Sequence, residues 1–288
     1  MSPAAGGRPG AGARLQRGLQ LLTPPLVWRL LRRLRPDDAP LDGPLADWAA
    51  AAGRATGWDS PGIAREALRA AEAVRDGVAA FERDSRPLER IIYSPTILAA
   101  LLLALDRYGR LNVVDFGGGL GSNFHQNIKL IRALAHGPTD WRVVERPSLA
   151  RLGAERFQTP GLRFYADLDA ARLEDAVLMF TGSLQYVEDA FGFLDDAVRG
   201  FDIVALDRVL VSEGDEHEVY LQRLDRDRFG DVTLATWCFS AAALIGWFEA
   251  HGFELVERFR PPPRPRRENC GMLFLRRAAE PTPSTPPS

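Results

Sequence analysis

The sequence predicts an α/β protein built on a mostly parallel sheet, and three observations carry that reading. Short apolar runs alternate with helix-period stretches from residue 111 to 206, with short links between them. The first of these runs ends in a glycine-rich turn that opens the next helix. The last two runs, 253–260 and 270–276, are too close for a parallel crossover, which takes a dozen or more residues, so they pair antiparallel. In order, strand one is 111–116 and its helix 122–135. Strand two is 141–145 with a helix near 148–157, and strand three is 162–166. Strand four is 176–181 with a helix near 187–199, and strand five is 201–206. The alternation stops there, and a helix over 240–251, the strand 253–260, a stiff basic turn over 261–267 and the last strand complete the sheet. Before it, residues 45–108 read as helical: an Ala-rich piece at 46–55, a helix over 61–83 and a more apolar one over 95–108. Pro61 suits a first helical turn, where a missing N–H costs nothing.

Composition narrows the class. The chain has 288 residues, 46% of them hydrophobic, enough for one good-sized core. Lys+Arg is 36 and Asp+Glu 38, so the net charge of −2 gives no general attraction to nucleic acid. Lys129 is the single lysine, which excludes a P-loop NTPase. Cys238 and Cys270 stand alone, so neither a disulfide framework nor a Cys-rich zinc site fits, and a reducing cytoplasmic compartment is expected. The domain plan reads as a disordered 1–13, a helical N-terminal extension over 14–108, a catalytic domain over 109–278 and a disordered tail over 279–288. The first 36 residues hold seven Arg and no acid. Within them, 26–35 reads either as a short amphipathic helix packed on the domain or as a basic helix at an anionic membrane surface.

The chemistry concentrates in Val113-Val114-Asp115-Phe116-Gly117-Gly118-Gly119-Leu120-Gly121-Ser122. Glycines at a strand-to-helix turn let backbone approach a ligand closely. A dinucleotide fingerprint needs G-x-G-x-x-G, and Ser122 stands where its last glycine belongs. Asp115, two residues before Gly117, instead resembles the first motif of class I S-adenosylmethionine-dependent methyltransferases, whose cationic ligand a carboxylate helps hold. Glu145 ends strand two 24 positions after Gly121, where one carboxylate can accept hydrogen bonds from two ribose hydroxyls. Asp167 ends strand three as an adenine contact or, equally well, a helix N-cap. After strand four, Ser183 joins the cofactor side, and Gln185 and Tyr186 are candidates for orienting a substrate.

A whole-chain resemblance follows from these and other segments. Leu22-Thr23-Pro24-Pro25, Trp48, Gly57-Trp58-Asp59 and Arg83-Asp84-Ser85 precede the glycine turn. Trp141-Arg142-Val143-Val144-Glu145, Leu184-Gln185-Tyr186 and Asp207-Arg208 follow it. Together they resemble a family of class I S-adenosylmethionine-dependent methyltransferases associated with bacterial surface-polysaccharide gene clusters, over roughly residues 20–276. The resemblance implies a Rossmann-like sheet in the order 3-2-1-4-5-7-6, S-adenosyl-L-methionine as cofactor, and a sugar or glycan-precursor acceptor. Thr233-Leu234-Ala235-Thr236-Trp237 departs from the family's Ser-Tyr-Pro then Trp pattern, so the substrate-side loop differs.

Methyl transfer from a sulfonium needs mainly positioning, and a base only for a hydroxyl or protonated amine acceptor. Among the histidines, His125 reads as a core ring, and His136 and His251 as helix C-terminal residues. His217, in a charged loop over 212–218, is the one to test as base, with Tyr186 beside the reacting methyl. Asp207 and Arg208 leave strand five toward the crevice, where Arg208 either clamps an anionic substrate or forms a structural ion pair. No metal-ligand spacing is present. An NAD(P)-dependent oxidoreductase and a non-catalytic cofactor-binding module are the competing classes.

Overall fold

A computed structural model describes residues 41–135, 137–260 and 267–278. The expectations for 1–13, for the basic segment 26–35, for Leu22-Thr23-Pro24-Pro25, for His136, for the turn 261–266 and for the tail 279–288 lie outside the described residues.

Seven strands carry the central sheet: β4 (Leu111–Phe116), β5 (Thr139–Val144), β6 (Leu162–Tyr165), β7 (Ala176–Thr181), β8 (Ile203–Ser212), β12 (Arg267–Arg276) and, at its edge, β11 (Phe253–Phe259). Pairing runs β6-β5-β4-β7-β8, all parallel, then antiparallel through β12 to β11. Numbered by role, that is 3-2-1-4-5-7-6, the Rossmann-like order of class I methyltransferases. All six residues of β7 are buried, as a parallel strand covered on both faces requires.

Two apolar layers flank the sheet. One contains Leu111, Phe124, Trp141, Leu162 and Ile97, contributed partly by α2 (Pro61–Arg75), α3 (Pro95–Tyr108), α4 (Ser122–Leu134) and α5 (Pro147–Arg156). The other contains Phe180, Phe201, Phe248, Phe253 and Phe274, with α6 (Leu168–Ala171), α7 (Ala190–Ala197) and α9 (Ala241–Ala250). The helix α3 starts with Ser94 as cap, its Oγ accepting from the Ile97 amide at 3.4 Å, and stops at Gly109 with φ 65°.

Three differences from the sequence reading matter for the site. First, the helix expected over 61–83 ends at Arg75; Gly77, at φ 73°, turns the chain into a hairpin of β2 (Phe81–Arg83) and β3 (Arg86–Leu88). Second, residues 41–45 are a strand, β1 (Leu41–Leu45), followed by the short helix α1 (Trp48–Ala52), so the segment before β4 is not wholly helical. Third, β8 runs on to Ser212, and the stretch 218–240 is a second hairpin rather than irregular chain. It consists of β9 (Glu218–Arg223), the single turn α8 (Arg226–Phe229) and β10 (Thr233–Ser240). The outer sheet β1-β9-β10 is antiparallel and joins β8 only at Phe239↔Val211 and Ser240↔Ser212. The departing Thr233–Trp237 stretch thus lies in β10. Alternation of Val219, Leu221, Leu234 and Thr236 was the available signal, and its β-branched and apolar residues are buried.

A candidate cofactor and acceptor crevice

The glycine turn is held from below. Asp115, fully buried, accepts from Asn123 Nδ2 at 3.3 and 3.1 Å and from Trp141 Nε1 at 3.2 Å. Burial pushes its carboxyl up to about 6, against the lowering effect of those two donors. A side chain at Gly118 would put its Cβ 2.6 Å from the Asp115 carboxylate. At Gly117 (φ 72°) the Cβ would fall 2.4 Å from the Ser183 Cβ. Ser183 Oγ in turn donates to the Phe116 carbonyl at 2.7 Å, locking the ends of β4 and β7 together. Gly119 (φ 62°) differs: a Cβ there would meet only Ser122 Oγ at 3.9 Å, so its outer side is open. Gly121, at φ 88°, is the N-cap of α4.

Glu145 meets this turn directly. One carboxylate oxygen accepts from the Gly119 amide at 3.1 Å and the other from the Arg146 amide at 3.0 Å. Burial raises its pKa; these bonds and the Arg146 charge oppose the rise. Arg146 ties a covering segment across: its Nη1 donates to the Trp58 carbonyl and to Asp59 Oδ1, both at 2.7 Å. The Trp58 indole stands edge-on to the Tyr186 ring, centroids 4.8 Å apart. Asp167 caps α6, accepting from the Ala170 amide at 3.0 Å, which is the structural one of its two readings.

The other wall follows β7 and β8. Asp207, 7% exposed, accepts from Ser94 Oγ at 2.7 Å. Arg208 takes φ 53° and reaches Asp84 Oδ1 with Nη1 at 2.5 Å; its Nε lies 3.9 Å from Asp207 Oδ2. Gln185 Nε2 donates to the Arg208 carbonyl at 3.4 Å, while its buried Oε1 has no partner among the described residues. Tyr186 donates to Gln222 Oε1 at 2.7 Å, and burial pushes its pKa up to about 12. The phenol therefore stays protonated and serves as a donor, not a base. His217 sits in an aromatic cluster of Phe191, Trp237 and Phe239, its Nδ1 accepting from the Ser240 amide at 3.0 Å. Burial lowers its pKa. The structure gives it no bond to Tyr186, Gln185 or Arg208.

Composition and motif reasoning did not single out three participants on chemical grounds: Arg146, Glu82 and Asp84. Trp58 and Asp84 do lie in segments that carry the whole-chain resemblance. Glu82, 9% exposed, lines a cavity of about 10 Å³ with Leu120, Ser122 and His125, directly beside the glycine turn. Its Oε2 accepts from the Ser85 amide at 3.0 Å, and burial, then the neighbouring Asp84 charge, pushes its pKa up to about 7. Among the described residues no group of three His, Cys, Asp or Glu is placed to hold a metal ion, and no helix is long and apolar enough to cross a membrane.

No protein-family model and no curated protein matches the chain. Solved structures resemble it distantly. LepI C52A in complex with SAH and a substrate analogue is 15% identical over 65% of this chain, with a TM-score of 0.43; the chain spans 49% of that protein's length. The Burkholderia thailandensis 1,6-didemethyltoxoflavin-N1-methyltransferase is 19% identical over 83% of this chain and 94% of its own, with a TM-score of 0.42. The N-terminal domain of EvdMO1 with SAH bound is 16% identical over 75% of this chain and 96% of its own, at 0.46.

Proposed function

We propose that the chain is an S-adenosylmethionine-dependent methyltransferase acting on a small polar acceptor, with a sugar hydroxyl as the favoured target. The observation that carries the reading is the contact of Glu145 with Gly119. A carboxylate occupies the turn's amide at the place where a dinucleotide fold presents amides to pyrophosphate. Two acids at one glycine turn suit a ligand with ribose hydroxyls and a positive charge, and repel a diphosphate. The β12–β11 hairpin points the same way, since a dinucleotide sheet continues parallel in the order 3-2-1-4-5-6.

The residues present fit that cofactor. Gly117 and Gly118 are packed on Ser183 and Asp115 with no room for a Cβ, which holds the turn in place, while Gly119 is open on its outer side. In this reading Gly117, Gly118, Gly119 and Gly121 give backbone approach, Glu145 holds the ribose hydroxyls, and Ser183 fixes the turn. Asp115 acts beneath the turn as its anchor. Asp167 contributes its neighbourhood to the adenine side while its own Oδ1 caps α6. When bound, the cofactor supplies a methyl carbon already activated by its sulfonium, so catalysis by the protein is largely alignment. Gln185, Tyr186, Asp207 and Arg208 line the acceptor wall; Tyr186 gives its proton to Gln222 and keeps its oxygen as an acceptor, and Gln185 Oε1 has no partner among the described residues. His217 is held as a hydrogen-bond acceptor in its aromatic cluster, so its candidacy as base weakens.

Calorimetric titration with S-adenosylhomocysteine and with NAD tests the reading. Binding of the first and silence from the second is expected. Binding of NAD alone would replace the reading with an oxidoreductase.

A further inference from the structure

The tip of the β2–β3 hairpin is built against local preference. A two-residue connection with both residues at positive φ is the pattern of a type I′ turn, where Asn-Gly or Asp-Gly is preferred. Here the pair is Asp84 (φ 52°) and Ser85 (φ 59°), with no glycine. Arg208, their partner across the crevice, is also at positive φ. Among the described non-glycine residues only one other, Asp175, shares that conformation. Such backbone is unfavourable for a residue with a Cβ and persists where surroundings enforce it, commonly at ligand sites. Three such residues in one contact call for a reason beyond closing a turn.

The charges supply one. Arg208 Nη1 holds the Asp84 carboxylate at 2.5 Å, yet the Asp84 side chain is 69% exposed and that of Arg208 30%. The guanidinium is thus fixed in the wall while its anion stands outside in reach of solvent. A second guanidinium reaches the same tip, Arg228 donating to the carbonyls of Asp84 and Ser85, while Arg83 at the foot of the turn donates away from it to the carbonyl of Ile92. Carboxylates stand near both: Asp84 and Asp207 near Arg83, and Asp225 and Glu66 near Arg228. Asp207 accepts from Ser94 with one oxygen, and its other oxygen lies 3.9 Å from Arg208 Nε, beyond hydrogen-bond distance. Beside Arg208 lies the buried, unpartnered Oε1 of Gln185, an atom that asks for a donor.

We propose that Asp84 is an internal occupant of an oxyanion site on Arg208. A carboxylate or phosphate of the methyl acceptor displaces it, and a hydroxyl of the same molecule satisfies Gln185. The proposal rests on the methyl-transfer reading, because it names the acceptor class of that reaction: a hydroxylated small molecule carrying one oxyanion. Arg is suited to either anion through its planar fork, and the displaced Asp84 frees the strained hairpin tip to move. A competing internal anion lowers the apparent affinity by the fraction of protein in which it is seated.

Calorimetric titration of the full chain with glucuronate, glucose 6-phosphate and glucose tests this. Asp84→Asn, and Asp84→Gly in case an Asn amide oxygen still accepts from Arg208, are expected to bind one of the two anions roughly fivefold more tightly than the wild type. Glucose binding stays unchanged, and Arg208→Gln loses the anion response. Which anion gains tells carboxylate from phosphate. The proposal is overturned if neither Asp84 variant binds either anion more tightly, or if Arg208→Gln binds them as the wild type does. A parallel titration with S-adenosylhomocysteine separates the two claims: silence there removes the methyl-transfer reading, while the anion arm judges Arg208 by itself.

Discussion

The two walls of the crevice are made of different materials. The glycine-turn wall consists of backbone, packed glycines and one fully buried carboxylate held by Asn123 and Trp141. The opposite wall consists of charged side chains: Arg208 on β8, and Asp84 and Arg228 on two hairpins that hang outside the central sheet. The first is preorganised by close packing: a Cβ added at Gly117, Gly118 or Gly121 strikes a neighbouring side chain, while Gly119 stays open. The second is held by exposed ion pairs, which contribute little each and exchange readily with a ligand. A fixed cofactor wall and a replaceable acceptor wall are the arrangement expected when one ligand is common to many reactions and the other is particular to one.

The sharpest way to break this contrast is at Gly117. Gly117→Val combines φ 72° with a Cβ 2.4 Å from the Ser183 Cβ. It is expected to lower stability by roughly 3 kcal/mol or more and to abolish the response to S-adenosylhomocysteine. Urea unfolding and calorimetry measure both. Next is Glu145→Gln, which keeps the shape but removes the charge. Binding of S-adenosylhomocysteine should weaken about tenfold with the fold intact, as for loss of one charge-assisted hydrogen bond.

An effect of comparable size probes the β2–β3 hairpin through pH. Glu82 has a folded pKa of about 7, above its ordinary 4.5, so the fold prefers its neutral form. That contribution is complete below about pH 4.5 and is lost as pH rises through 7. Glu82→Gln carries no such charge. Its stability relative to the wild type should rise between pH 5 and pH 8 by about 2 kcal/mol, read as diverging urea midpoints. A parallel pair of curves would place Glu82 in a more solvated setting. The smallest effect is Ser85→Gly, expected to stabilise by about 0.5–1 kcal/mol by relieving φ 59°.

The same contrast explains what could be read from the residues. The central strands β4 to β8 were legible because each is a short apolar run bounded by turn residues, and the closing hairpin because its two strands are too near for a crossover. The turn from Asp115 to Ser122 was legible because glycine recurs where only glycine fits. Glu145 was legible because strand order places its end beside that turn. The acceptor wall was not. Phe81–Arg83 continues the helical spacing of the residues before it, and only Gly77 marks the break. The strands β9 and β10 belong to an outer antiparallel sheet with its own partners, which strand–helix alternation does not anticipate. The pairing of Asp84 with Arg208, 124 residues apart, is a tertiary fact with no local trace. Arg208 was expected to leave strand five at residue 206; β8 instead runs on to Ser212 and holds Arg208 within the strand.

Hydrogen exchange with and without S-adenosylhomocysteine tests the central claim most directly. The account predicts new protection concentrated at the amides of residues 117–123 and 145–146, with little change at 82–86. Protection confined to the hairpin at 82–86, with the glycine turn exchanging as before, would contradict it.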